Sequence, residues 1–245
     1  MKMRSTALAL IFAAGAATPA LAQTVEADVI ALNEWSYDEL YTEGMSADNF
    51  IDEVDVHDVD GEEIGDVEDL IADQNGEIVA VVAEVGGFWD IGDTHVAVPW
   101  GEVEMADGRI TLPVTEDNID DYGLFDRDFV TGEMLSEGIV ADVDDAETGS
   151  RTFRLSELIG DYARLRGDDD AMVNYGYVRD VMIQDGRIAA VVVNPDVGYG
   201  APGYYTAYPY SGRDYAPGSQ YYDMPYSERD IGEMREFDYD RVELM

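Results

Sequence analysis

The chain has 245 residues, of which 54 are acidic and 14 basic, giving a formal net charge of −40 with two histidines and no cysteine. Such a field repels phosphate backbones and anionic lipid, which argues against nucleic-acid and membrane-surface binding and leaves basic proteins and divalent cations as natural counter-partners. Without cysteine there is no thiol catalysis, no disulfide and little prospect of zinc ligation, so stability must come from an apolar core, for which 46% apolar residues suffice.

In chain order, Lys2 and Arg4 precede an apolar stretch from Leu8 to Ala17, and Ala20-Leu21-Ala22 is a small-x-small site before Gln23. This predicts an export leader over residues 1–22, cleaved after Ala22, and a product in the bacterial periplasm or secreted. The apolar stretch is shorter than the roughly 20 residues that cross a bilayer. No later run is a span candidate, since Ile78 to Ala83 is bounded by Glu77 and Glu84. Gln23 offers no site for a lipid anchor. Beyond the leader, 12 basic residues, all arginine, face 54 acidic ones. With no lysine, Schiff-base chemistry and a phosphate-loop lysine are closed to the mature chain.

From Ala31 to Gly44, Trp35, Tyr37, Leu40 and Tyr41 fall at helical spacing and predict a helix packed on a sheet. Val54-Asp55-Val56 and the Asp60-Gly61 turn lead to Ile64 and Val67, and Asn75-Gly76 marks a tight hairpin. Ile78 to Val82 is a β-branched run without polar breaks, as in a strand buried on both faces. Further short strands are predicted at His95 to Val98, Glu102 to Glu104 and Arg109 to Pro113, then a capped short helix at Thr115-Glu116-Asp117-Asn118. Residues 126–150, with Asp126, Asp128, Asp142, Asp144 and Asp145, read as a linker.

The remainder repeats the beginning. Gly65 to Val82 (GDVEDLIADQNGEIVAVV) matches Gly176 to Val192 (GYVRDVMIQDGRIAAVV), with Asp185-Gly186 in the place of Asn75-Gly76. Val98-Pro99-Trp100 matches Tyr208-Pro209-Tyr210, and the block Ala47 to Val54 parallels Ser156 to Ala163. A first unit over residues 23–125 and a second over 151–245 follow. The second unit carries a Tyr/Pro/Gly-rich insertion over residues 199–226, with nine tyrosines, predicted to be an extended loop, and a closing strand near Phe237 to Val242. The fold class is mainly β: two tandem small antiparallel β-barrels with short helices, each too narrow for a ligand cavity.

Gly61 to Asp69, the strand through Val82, Gly86-Gly87-Phe88, Ile91-Gly92 and Val96 to Trp100 resemble the PRC-barrel domain, known from the cytoplasmic part of the photosynthetic reaction-centre H subunit. The resemblance is good over residues 47–115, and residues 152–245 look like a divergent second copy. It implies a docking module, since the family pattern holds no catalytic constellation. The leader and the missing membrane helix of the reaction-centre subunit separate this chain from a photosynthetic role.

Candidate site residues follow. Phe88, Trp89 and Ile91 lie in a glycine-flanked loop and are side chains of the kind that anchor interfaces, and Tyr204 and Tyr205 offer adaptable contacts in the Tyr-rich stretch. His57 lies among Asp55, Asp58 and Asp60, and His95 reads as a surface or capping side chain beside Val96. Asp55 to Gly61 fails as a calcium loop, because counting back from Gly61 puts Val56 first and Val67 in the terminal acidic position. Asp142 to Glu147 lacks the glycine, and Asp168-Asp169-Asp170 reads as a solvated turn. No catalytic residue, cofactor or specific metal site is expected, and weak cation binding is. The expected function is an exported, non-enzymatic docking or scaffold protein with a protein partner. The alternatives are an acidic envelope stress or cation-buffering protein and an Asp/Glu-based metal-dependent enzyme.

Overall fold

The computed structural model describes residues 29–86, 94–106, 108–122, 152–169, 171–199, 203–212, 215–216 and 218–242. The predicted export leader, the Phe88-Trp89 loop with Ile91, the predicted 126–150 linker and the Asp142 to Glu147 acids lie outside the described residues.

The first half contains helices α1 (Asp38–Glu43) and α2 (Ala47–Glu53). Its strands are β1 (Met45–Ser46), β2 (Asp55–His57), β3 (Glu63–Asp73), β4 (Ile78–Val85), β5 (Thr94–Pro99), β6 (Glu104–Ala106) and β7 (Arg109–Thr111). The second half contains β8 (Thr152–Arg154), helix α3 (Leu155–Leu158), β9 (Tyr162–Arg166), β10 (Met172–Gln184), β11 (Arg187–Pro195), β12 (Thr206–Pro209) and β13 (Tyr221–Ser227). The strands form two curled half-barrel sheets. One runs β5-β4-β3-β2-β7-β6, the other β12-β11-β10-β9-β13.

Local sequence sets the central hairpins. Gly76 and Gly186 have φ of 79° and 70°, which glycine adopts without steric cost, so Asn75-Gly76 and Asp185-Gly186 reverse the chain tightly. The β-branched runs then pair, Leu70 with Val81 in one sheet and Val181 with Val191 in the other. Each long strand carries a bulge at the same place, at Glu68 between Val67 and Asp69 and at Arg179 between Val178 and Asp180. An extra residue in one strand bends it and increases its twist. β3 and β10 therefore each serve two neighbours on one edge. Residues 63–66 of β3 pair with β2 and residues 71–73 with β8. Residues 172–177 of β10 pair with β9 and residues 182–183 with β1.

That last pairing crosses the halves in both directions. β1 and α2 lead into the first sheet, yet β1 pairs on β10 of the second; β8 and α3 lead into the second sheet, yet β8 pairs on β3 of the first. The hairpin tips also meet. The Ile78 amide donates to the Gly186 carbonyl at 2.9 Å, and the Ile188 amide to the Gly76 carbonyl at 2.7 Å. A single apolar core consequently runs through both halves, containing Phe50, Val81 and Ile110 with Phe153, Leu165 and Val191. Each such buried side chain contributes about 1.5–3 kcal/mol.

Two barrels with separate interiors were expected, and the exchange of leading strands produces one shared core instead. Neither sheet is wholly antiparallel, because β2–β7 and β9–β13 are parallel pairs. The leading blocks align one residue away from their sequence match. Met45 lies opposite Ile183 and Phe153 opposite Ala72, which makes Phe50 the counterpart of Leu158, both fully buried. The Tyr-rich stretch is not an extended loop throughout, since it supplies β12 and most of β13. Its composition hides an alternation: Tyr222, Met224 and Tyr226 face the core and the residues between them do not. The strand that closes the second sheet is β13, and residues 239–241 form a 3-10 turn. The helix predicted over residues 31–44 is confined to Asp38–Glu43, after a short 3-10 turn at Leu32–Glu34.

Helix α1 and the C-terminal segment cover the outer face of the second sheet. Tyr37, Leu40, Tyr41 and Phe237 pack on Met182, Ala190, Val192 and Ala207. The matching positions of the first sheet, Ile71, Ala80, Val82 and Ala97, are buried as well. Both central hairpins are therefore covered on two faces, which explains their unbroken apolar runs. Among the described residues no helix is long and apolar enough to cross a membrane.

Candidate functional site

The N-terminal segment and the C-terminal segment run side by side because tyrosine hydroxyls tie them together. Tyr226 donates to the Ile30 carbonyl and Tyr37 to the Arg235 carbonyl, both at 2.9 Å, while Tyr204 donates to the Met234 carbonyl at 3.1 Å. The Trp35 indole N–H reaches the Ala207 carbonyl at 2.9 Å. Between the segments lies a cleft of about 450 Å³, lined by Leu32, Trp35, Tyr37, Arg229, Met234 and Arg235 among others.

Its chemistry is unlike the rest of the surface. Leu32, Trp35 and Met234 supply an apolar floor, and two arginines stand at the wall of a chain that carries few. The Arg235 guanidinium lies 5.8 Å from the Tyr37 ring centroid, a cation–π contact, and among the described residues it makes no ion pair. Arg229 pairs with Asp168 at 2.5 Å, both side chains largely exposed, so that pair holds little energy and opens readily. Asp230 also lines the cleft but is engaged by the Ser227 amide at 2.8 Å and hydroxyl at 2.7 Å. Those bonds hold its carboxyl below the usual range. Burial raises the Tyr37 phenol well above its ordinary value, so it acts as a neutral donor. The arrangement suits an apolar side chain accompanied by a carboxylate.

Two buried carboxylates hold structure. Asp180 accepts from the Ser46 hydroxyl at 2.7 Å, the Asp48 amide at 3.0 Å and the Val181 amide at 2.7 Å. Ser46 in turn caps α2 by accepting from the Asn49 amide at 3.1 Å. Asp69 occupies the same place in the first sheet, accepting from the Ser156 hydroxyl, from the Ser156 amide at 3.2 Å and from the Leu70 amide at 2.7 Å. Each aspartate therefore clamps the other half's leading segment onto its own long strand. Burial pushes Asp69 up and Asp180 up to about 6, against the hydrogen bonds that lower them. Asp161 is pushed up to about 7, first by burial and then by Glu157.

The sequence-derived candidates fall in different places. Phe88, Trp89 and Ile91 lie outside the described residues. Tyr204 and Tyr205 are spent internally: Tyr205 accepts the Phe237 amide at 2.8 Å through its carbonyl and sets its ring against Tyr239. His57 sits on β2 opposite Glu63, with a buried Nδ1 that has no hydrogen-bond partner. The acids around it do not converge on it, since Asp58 accepts the Asp60 and Glu62 amides at 2.9 Å each within its own turn. His95 is half-buried, its Nε2 3.5 Å from a Glu84 oxygen. Asp168 pairs with Arg229 and Asp169 accepts the Ala171 amide, as expected of a turn. The cleft was missed in sequence because it joins segments some 200 residues apart. The one signal was the spacing of Trp35 and Tyr37, two residues apart, which cannot set both on one face of a helix.

Residues 43–119 match the PRC-barrel domain. That span begins just before β1, takes in the leading strand that crosses to the other sheet, and ends at the 3-10 turn Ile119–Tyr122. No curated protein matches the chain.

Proposed function

We propose that the PRC-barrel match at residues 43–119 is one of two such units in an exported, non-catalytic docking protein. The second unit, over residues 151–245, repeats the pairing scheme of the first, with β9, β10, β11, β12 and β13 standing for β2, β3, β4, β5 and β7, and with no counterpart of β6 among the described residues. The leader over residues 1–22 assigns the protein to the bacterial periplasm or the exterior. The observation that carries the docking reading is the cleft, where Arg235 stands without an acidic partner among the described residues beside Leu32, Trp35 and Met234. Apolar anchors flanked by an arginine are the composition of interface hot spots. The partner inserts an apolar side chain with a neighbouring carboxylate, and its basic residues meet the acidic surface around the cleft.

The test is capture from an envelope extract of the source organism, with the purified protein and with Leu32→Asp and Arg235→Glu variants as baits. One protein held at equal stoichiometry by the parent and lost by both variants supports the cleft. Retention by both, with loss in a Phe88→Ala, Trp89→Ala double variant, moves docking to the other loop. If nothing is held and thermal stability rises alike with any salt, the net charge of −40 favours the second reading, an acidic cation-buffering envelope protein.

A further inference from the structure

The two sheets share one scaffold, so corresponding surface positions can be compared directly. At the bulge, the first sheet has Glu68 and the second Arg179. Two strands across, Glu84 and His95 pair in register on β4 and β5, where the second sheet has Asn194 and Tyr205. Arg179 is committed to structure, since its guanidinium reaches the Asp48 carboxylate at 2.8 Å. In the first sheet all three positions instead carry side chains that ligate metals.

Their geometry is convergent. One donor atom from each of Glu68, Glu84 and His95 lies within 4.8 Å of the other two. The His95 Nε2 to Glu84 oxygen distance, 3.5 Å, is the edge expected of a tetrahedron with metal–ligand bonds of about 2.0–2.2 Å. Glu68 is exposed and the other two half-buried, so only the Glu68 side chain has to close a little further. Alternation along β3 turns Val67 into the core and leaves Glu68 on the outer face with Asp66. Asp66 lies directly opposite Glu84, so without a cation this face sets like charges against each other.

We propose that Glu68, Glu84 and His95 form a site for a divalent transition-metal ion of the zinc type, with water completing the coordination shell. One imidazole and two carboxylates favour such an ion over calcium or magnesium, which take oxygen ligands alone. The three ligands come from adjacent strands of the domain-matched half, so the ion braces β3, β4 and β5 at the end where the chain leaves β4. The site lies on a different face from the cleft and does not depend on docking.

Zn²⁺ titrated calorimetrically into chelator-treated protein is expected to show one saturable equivalent, weakened at least tenfold by His95→Ala and by Glu84→Gln. Ca²⁺ and Mg²⁺ should give no saturable equivalent at the same concentrations. Imidazole ¹⁵N spectra supply the second readout. With only two histidines in the chain, Zn²⁺ should shift the His95 resonances and leave those of His57 in place. An isotherm unchanged by His95→Ala, or equal shifts of both imidazoles, would overturn the proposal. Thermal unfolding of His95→Ala in the absence of metal should match the parent, which separates loss of the ligand from loss of the fold.

Discussion

Replacing Asp180 by asparagine should change stability in a way that reverses across the pH range. The carboxyl is 1% exposed, and its two amide donors, Asp48 and Val181, both go to Oδ1, with Ser46 on Oδ2. Asparagine keeps Oδ1 and therefore both amide bonds; its Nδ2 must donate to Ser46 where Oδ2 accepted, a rearrangement that costs about 1 kcal/mol. Against this stands the buried charge. A folded-state value of about 6 lies above the ordinary 3.8, so the native state favours the protonated form. Wild-type stability is then greatest below the unfolded value and falls as pH rises from about 4 to about 6, by roughly 3 kcal/mol in total at about 1.4 kcal/mol per unit. Asparagine does not ionise and escapes that loss. Urea unfolding at about pH 3 and at about pH 8 should show the variant less stable than the parent by about 1 kcal/mol in acid and more stable by about 2 kcal/mol in base. A single difference that is the same at both pH values would refute the reasoning, as would a variant less stable by more than 1 kcal/mol at pH 8.

Gly186→Ala should lower stability by about 2–4 kcal/mol in denaturant titration, because φ is positive there and the added Cβ would stand 2.7 Å from the Trp100 indole nitrogen. Tyr208→Phe removes a hydroxyl bonded to that of Tyr175 at 2.7 Å in the core and should lower stability by about 1–2 kcal/mol while leaving far-ultraviolet circular dichroism unchanged. Carboxyl ¹³C titration should place the Asp161 midpoint near 7. Since that value is raised on folding, its contribution is lost as pH rises from the unfolded 3.8 to about 7, and the stability of Asp161→Asn relative to the parent should climb across that window and level off above it.

What could be read from the residues was local. Asn75-Gly76 and Asp185-Gly186 fix tight turns whatever surrounds them, and the β-branched runs after them name the central strands, so both hairpins were legible. The pairing of β1 and β8 was not, because two or three residues of strand carry no mark of their partner, and Met45 and Phe153 are equally apolar wherever they pair. The one-residue slip in aligning Ala47 with Ser156 has the same cause: with α3 only four residues long, the apolar positions Leu158 and Ile159 were both plausible partners for Phe50. Tyr221 to Tyr226 failed differently. Its Pro225 and flanking glycines speak for a loop, and proline is tolerated because β13 lies at the edge of the sheet. The Glu68, Glu84 and His95 cluster depends on the registers of β3 with β4 and of β4 with β5, which no single strand's residues carry.

The crossing of the leading strands makes the covalent connection between the halves dispensable to their association. A protease cut between residues 122 and 152 would leave fragments that each end on the other's sheet, with Asp69 and Asp180 holding the junctions and the hairpin tips bonded to each other. The nicked protein should migrate as one species until it is denatured, and the two fragments, made separately, should recognise each other on mixing. Such a topology turns an otherwise fatal cleavage into a silent one.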